Sequence, residues 1–359
     1  MNIAVVLGTR PEIIKMSPII RELEKHGIDF DLIHTGQHYD YNVSEIFFEE
    51  LNIPKPDKYL GIGSGKQGEQ TGKALISLEK SLHELDSNLV LIQGDTNTVL
   101  AGALAGIKMG LEVGHVEAGL RSYDYRMPEE YNRRLADHAS SILFAPTKYN
   151  ERTLKKEDVW GDIYVTGNTV IDACLENVKI AEDRAEIDYD IPDEFALITL
   201  HRAENVDSKR VLSNFLKLFQ NLNIEMLYPI HPRAEKTFKK YGLYNKMKNI
   251  ANMHILNAQG YFEFLILMNK CTYIITDSGG IQEEATAPNI HKKVFVARES
   301  TERPEAVKAG YAKVIGVEYD DMISAINEFD KEKWDPKKCP YGEGDAGEKI
   351  VDIIKKRIQ

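Results

Sequence analysis

Short apolar, β-branched runs recur along the chain, each followed by a longer stretch whose apolar positions return every three or four residues. In the first half the runs are Ile3–Leu7, Phe30–His34, Leu89–Gln93, Val113–Val116, Ile142–Ala145 and Ile163–Thr166. In the second half they are Ala196–Leu200, Met226–Ile230, His254–Leu256, Tyr273–Thr276, Val294–Ala297 and Lys313–Ile315. Strands alternating with helices predict βαβ units and parallel sheets. The alternation occurs twice, so the pattern predicts an α/β protein of two Rossmann-like domains. The expected division is 1–167 and 168–346, with a last helical segment at 347–359 that can return to the first domain. A length of 359 residues suits two cores better than one.

Composition narrows the functional classes. The net charge is −11 and no basic stripe is present, which argues against nucleic acid as partner. The three cysteines, Cys174, Cys271 and Cys339, form no C-x-x-C pair, so neither a zinc site nor a disulfide framework is expected. No apolar run reaches membrane-spanning length and no leader pattern opens the chain, so the expected location is the cytoplasm, with no membrane partner.

Unusual polar residues gather just after the strand runs, where open parallel sheets bind ligands. Gly8-Thr9-Arg10, Gly94-Asp95-Thr96, Glu117, His201-Arg202, His231 and Asp277-Ser278-Gly279-Gly280 all sit there. Any one of them alone reads as a cap or loop residue; the repeated placement does not. Arg10 and Lys15 flank a helix start marked by Pro11, a natural pocket for negative charge. The Gly279-Gly280 turn, with Ser278 before it and Glu284 one turn later, is the better candidate for phosphate and ribose.

The dinucleotide fingerprint G-x-G-x-x-G is missing after the first strand, and no strand is expected to lead into Gly61–Lys66, which reads as a flexible loop within a glycine-rich stretch, Gly61–Gly72, expected to be loop throughout. Tyr244 and Lys248 match Y-x-x-x-K far from any dinucleotide turn. No nicotinamide, metal or other cofactor is therefore expected. Asp95, Glu117 and Glu129 form an acidic group suited to proton transfer, with His201 as a further proton donor or phosphate contact. The plain readings are a cap for Asp95, a helix-dipole charge for Glu129 and a structural imidazole for His201.

These blocks, taken in order, resemble the non-hydrolysing UDP-N-acetylglucosamine 2-epimerases. The resemblance is carried by Gly8–Pro18, Gln93–Thr98, Gly114–Ser122, Pro128–Arg133, Thr166–Ala173, His201–Asn205, Thr276–Ala285 and Thr301–Val307. It implies a GT-B arrangement with the active site in the interdomain cleft. It also implies a homodimer and inversion at C2 by elimination of UDP and re-addition through a glycal. Arg10, Lys15, Asp95, Glu117 and His201 would line the sugar–pyrophosphate site, and Ser278, Gly279, Gly280 and Glu284 would hold phosphate and ribose. Gln259 and Phe264 would meet the uracil, and Arg303 would close the nucleotide side. Ala203 departs from the H-R-R-E of bacterial members, which puts regulation by substrate in question. A GT-B glycosyltransferase, a hydrolysing epimerase and a nucleotide-sugar sensor remain alternatives; the acidic trio speaks against the first and last.

Overall fold

The computed structural model describes residues 2–36, 47–185, 187–329 and 334–358. The chain divides into two compact units, Met1–Ala173 with Tyr341–Gln359, and Cys174–Pro340. The first unit holds β1 (Ile3–Leu7), β2 (Phe30–His34), β3 (Lys58–Tyr59), β4 (Leu89–Gln93), β5 (Glu112–Val116), β6 (Ile142–Ala145) and β7 (Asp162–Val165). The second holds β8 (Phe195–Thr199), β9 (Glu225–Pro229), β10 (Met253–Leu256), β11 (Tyr273–Thr276), β12 (Lys293–Val296) and β13 (Ala312–Val314).

Their orders are β3-β2-β1-β4-β5-β6-β7 and β10-β9-β8-β11-β12-β13, and every pairing is parallel. Parallel sheets are covered on both faces, which is why β1 is a continuous apolar run and β4 is apolar up to Gln93, both buried throughout. In each sheet the chain starts in the middle, builds to one edge, then returns and builds to the other. The loops after β1 and β4, and after β8 and β11, therefore part and leave a crevice at the carboxyl ends of those strands.

Helices complete the layers. In the first unit Leu78 and Leu82 of helix Gln67–Glu84 join Val6, Val90 and Ile92 in one cluster. In the second, Phe215, Phe219, Phe238, Ile275 and Phe295 form the core around the fully buried Tyr228. The late helix Ala346–Ile358 belongs to the first unit. It lies so close to helix Arg10–Lys25 that a Cβ on Gly347 would stand 3.2 Å from the Pro18 carbonyl carbon, and its Ile350, Val351 and Ile354 are buried.

Three sequence expectations need correction. A strand does lead into the Gly61 segment: β3 has two residues between Pro56 and Gly61, too short to show any alternation. The glycine-rich stretch from Gly61 to Gly72 is not all loop, since helix Gln67–Glu84 starts within it. The division between units falls after Ala173, inside helix Thr169–Arg184, where Gly167 was expected. Its first turn is tied to the first unit: Asn168 N–H donates to the Tyr341 carbonyl, and Asp172 accepts from Gly347 N–H, both at 2.8 Å.

Candidate active site

In the first unit the crevice lies between the turns after β1 and β4. Gly8 must be glycine, because an added Cβ would lie 2.2 Å from Thr98 Oγ1 and 2.9 Å from Thr35 Oγ1. Its N–H donates to Glu12, a carboxyl 2% exposed that burial pushes up to about 7. Arg10 opens the helix, its guanidinium 4.0 Å over the Phe47 ring. After β4 the helix cap is Thr96, whose hydroxyl accepts from Val99 N–H at 3.4 Å. Asp95 is thus released from capping. Its carboxylate pairs with Arg133 and its side chain stays about one-third exposed.

Glu117, following β5, has a left-handed backbone (φ 71°), costly for a residue with a side chain. The carboxylate is 6% exposed and heavily held. Lys15 Nζ donates to both oxygens at 2.8 Å, Gln93 Nε2 donates to one, and Asn168 Nδ2 reaches the other at 3.4 Å. Gln93 ends β4 and pairs in register with Val116, which brings the Asp95 and Glu117 turns side by side. Helix Pro128–Ala139 delivers Glu129 in its first turn, where the dipole favours a carboxylate.

Beneath these turns runs a buried charge network. Arg133 and Arg134 both reach the fully buried Glu130, at 3.2 and 3.1 Å; Arg134 also reaches Glu157, which Arg121 holds at 2.6 Å. Arg121 and His115 flank Asp137, each at 2.7 Å, and all three side chains are inaccessible to solvent. Burial alone would raise Asp137, but the His115 and Arg121 contacts overcome it and hold the carboxyl below its ordinary range. His115 Nε2 lies 2.8 Å from the Gly94 carbonyl, so the network also braces the turn that presents Asp95.

In the second unit the crevice lies between the turns after β8 and β11. Asp277 is fully buried and gathers the first turn: its oxygens accept from His201 N–H (3.1 Å), Arg202 N–H (3.0 Å) and Asn205 Nδ2 (3.1 Å). His201 Nδ1 also faces it at 3.2 Å. Burial holds the His201 imidazole below its ordinary value, against the opposing pull of Asp277. A neutral ring with its proton on Nδ1 leaves Nε2 as an acceptor.

Ser278 stands at the start of helix Gly279–Glu284, but its side chain makes no capping bond. A Cβ on Gly279 would fall 2.6 Å from Glu302 Oε1. Glu302 collects Arg298 at 2.5 Å and Arg202 at 3.2 Å; burial would raise its carboxyl, but Arg303, Arg298 and Arg202 bring it down to about 2. Arg303 in turn pairs with the fully buried Glu283 at 2.6 Å. Beyond β10, Gln259 accepts from the Tyr189 hydroxyl at 3.0 Å and donates to the Asn257 carbonyl at 2.9 Å. Phe264 and Glu284 are half-buried.

The sequence profile of the family described as UDP-N-acetylglucosamine 2-epimerase matches residues 21–355. The chain is 47% identical over 366 residues to a UDP-N-acetylglucosamine 2-epimerase of Methanocaldococcus jannaschii, with 99% of each covered. The chain belongs to the UDP-N-acetylglucosamine 2-epimerase family. A crystal structure of the Methanocaldococcus jannaschii UDP-GlcNAc 2-epimerase in complex with UDP-GlcNAc and UDP matches at a TM-score of 0.88 and 46% identity, covering 99% of this chain and 100% of that one. A UDP-2,3-diacetamido-2,3-dideoxy-D-glucuronate 2-epimerase of Pseudomonas aeruginosa is 36% identical over 364 residues, covering 99% and 100%.

Within this epimerase-family chain, the structure gathers Arg10, Lys15, Asp95, Glu117 and Glu129 at the carboxyl end of the first sheet. His201, Ser278, Gly279, Gly280, Glu284 and Arg303 stand at the carboxyl end of the second, and Gln259 and Phe264 follow β10 at its edge. Lys15, expected to line the sugar–pyrophosphate site, pairs with Glu117. Sequence reasoning passed over Arg133, Gln93 and Arg298, and named Asp277 and Arg202 only as members of strand-end turns, with no role of their own. Arg133 carries a usable signal, since it lies four residues after Glu129 on one helix and so shares its face. Asp277 carries another, a charged residue two positions after the apolar run Tyr273–Ile275.

Proposed function

We propose that the protein interconverts UDP-N-acetylglucosamine and UDP-N-acetylmannosamine by inverting carbon 2 of the sugar. The observation that carries this reading is the pair of carboxylates on neighbouring strand ends, each with its own cation: Asp95 with Arg133, and Glu117 with Lys15. Inversion needs a group to remove the C2 proton on one face and another to return it on the opposite face. One carboxylate cannot easily serve both.

The C2 proton is not beside a carbonyl, so it becomes acidic only as the C1–oxygen bond to UDP breaks. In the first half-reaction a carboxylate takes that proton, the C1–C2 double bond forms, and UDP leaves with the electron pair of the C1–oxygen bond. In the second, a UDP oxygen re-adds at C1 and the other carboxyl group delivers a proton to the opposite face of C2. Asp95 and Glu117 are assigned as this pair, with Glu129 as orienter or alternative.

Charge develops on the departing pyrophosphate, and Arg10, His201, Ser278 and the Gly279 and Gly280 N–H groups are assigned to it, with Arg303 assigned to close the nucleotide side. Gly280 supports the assignment. Its φ is not positive, and an added Cβ would meet nothing nearer than Ser278 Oγ at 4.0 Å, so the fold itself makes no demand for glycine. Glu284 is assigned to the ribose hydroxyls, and Gln259 and Phe264 to the uracil. The reading calls for neither metal nor nicotinamide.

The second copy expected of a homodimer finds support in the exposed face of Tyr123, Tyr125, Tyr131 and Leu135. Free cysteines support a cytoplasmic location, and among the described residues no helix is long and apolar enough to cross a membrane. Incubation with UDP-N-acetylglucosamine in deuterated water tests the chemistry. Deuterium should enter C2 of both recovered sugar nucleotides, and epimerisation without exchange would exclude the elimination route.

A further inference from the structure

Three buried side-chain amides connect parts of the first unit that are far apart in sequence. Asn132 Nδ2 donates to the Asp95 carbonyl at 3.0 Å and to Asn97 Oδ1 at 3.2 Å. Asn97 Nδ2 donates to Gln70 Oε1 at 2.7 Å, and Gln70 Nε2 donates to the Gly63 carbonyl at 2.7 Å. All three residues are 5–7% exposed. The relay ends on a backbone carbonyl at each side, and a carbonyl only accepts. No amide in it can turn over without setting like groups face to face.

The amides sit near the starts of three helices, Gln67–Glu84, Asn97–Lys108 and Pro128–Ala139. Above them is a cavity of about 260 Å³, lined by Ser64, Gly65, Gln70, Asn97, Glu129 and Asn132 among others. Pockets that enclose a whole small ligand run to roughly 300–1,000 Å³, so this one fits one end of a nucleotide sugar. Among the described residues no lysine or arginine lines it, and its acidic side chain is Glu129. A neutral sugar suits such a lining; a pyrophosphate does not.

Buried amides are usually satisfied for structural reasons alone. Here the satisfied groups are the Asp95 carbonyl on one side and the carbonyl of the glycine-rich wall on the other. Asn132 also lies three residues after Glu129, on the same helix face. The far side of that wall is fixed independently, by Ile62 N–H to the Thr35 carbonyl and Gly63 N–H to the Gly36 carbonyl, both at 2.9 Å.

We propose that Gln70, Asn97 and Asn132 are positioning residues, which set the distance between the Gly63–Gly65 wall and Asp95 with Glu129 across a cavity that receives the sugar end of the substrate. The inference rests on the epimerase reading above. Without the relay the wall moves away from the two carboxylates, the sugar is less well aligned for proton transfer, and the glycal escapes before UDP re-adds.

The test uses the full chain with Gln70→Met, a nearly isosteric change, and Asn97→Ala, singly and combined. Three quantities are measured: the UDP dissociation constant by calorimetry, kcat at saturating substrate, and the fraction of turnovers ending in free UDP and glycal. Each single variant should lose about tenfold in kcat, hold UDP within about twofold, and release more glycal than the wild type. The double variant should be no slower than the slower single, since either change breaks the same relay. Multiplying losses in the double, or an unchanged kcat in Gln70→Met, overturns the proposal. Should the double variant not fold, glycal release by the single variants decides, and release at the wild-type level counts against the relay. A wild-type protein that neither epimerises nor exchanges the C2 proton would sink the epimerase reading and the relay with it. A fully active wild type with undisturbed single variants sinks the relay alone.

Discussion

Glu12 offers a quantitative test of how the Gly8 turn is held. The carboxyl takes the Gly8 N–H, its other oxygen is buried without a hydrogen bond, and burial raises its pKa from 4.5 to about 7. Between those two values the native chain keeps a proton that the unfolded chain has lost. The stability this gives is fully present below pH 4.5, declines as pH rises, and is gone above about pH 7. Worked through the linkage relation, unfolding of the first unit should cost about 2–3 kcal/mol less at pH 8 than at pH 5 on account of this group.

Glu12→Gln keeps an acceptor for Gly8 and removes the titration, so its stability should not share that slope. The comparison is made in a Trp334→Phe background, where Trp160 of the first unit is the remaining tryptophan. With an m-value of roughly 2 kcal/mol/M, the wild-type urea midpoint should move by about 1 M relative to the Gln variant between the two pH values. Other titrating groups cancel in the difference. Midpoints that move in parallel would show that Glu12 is not held protonated, and the account of the Gly8 turn would fall.

Further predictions divide the labour between the two units. Asp95→Asn should leave UDP affinity nearly intact and abolish turnover, whereas Ser278→Ala and Glu284→Ala should mainly weaken UDP binding, by about 1–3 kcal/mol; equal damage to UDP affinity from all three would refute the division. Pyrophosphate beside His201 should favour the protonated ring that burial disfavours, so UDP binding should take up a proton near neutral pH. Calorimetry in two buffers of different ionisation enthalpy measures that uptake, and identical heats would contradict it. Gly8→Ala should destabilise the first unit by about 1–3 kcal/mol, because the new methyl collides with Thr98; an unchanged Trp160 transition would show that the turn yields. Added NAD or EDTA should leave the rate unchanged, and a loss with EDTA would point to a metal requirement absent from the sequence motifs.

The elements that could be read from sequence are those whose signal is local. Continuous apolar runs located β1, β4, β8 and β11 because both faces of a parallel sheet are buried, and the residues after those runs marked the crevice ends. β3 could not be seen, since two residues carry no period. The partners of the site residues were hidden for another reason. Lys15 meets Glu117 across 102 positions and Asn205 meets Asp277 across 72, and no spacing rule spans such distances. Even Asp95 kept its plain reading as a cap until Thr96 proved to hold that place. The amide relay was equally out of reach, because Gln70, Asn97 and Asn132 are common polar residues made distinctive only by facing one another.

The path of the chain between the two units bears on how the protein is made. The first unit's sheet is complete at Val165, but its helix Ala346–Ile358 is translated only after the whole of 174–340. From 166 to 341 is 175 residues; at roughly 5–20 residues per second that is a delay of on the order of 10–30 s. During this time the apolar surface against which Ile350, Val351 and Ile354 will close is bare on the ribosome. The second unit has no such wait, being one unbroken stretch. It can mature first although its codons come later, and the nascent first unit is the part that a holding chaperone would find to bind.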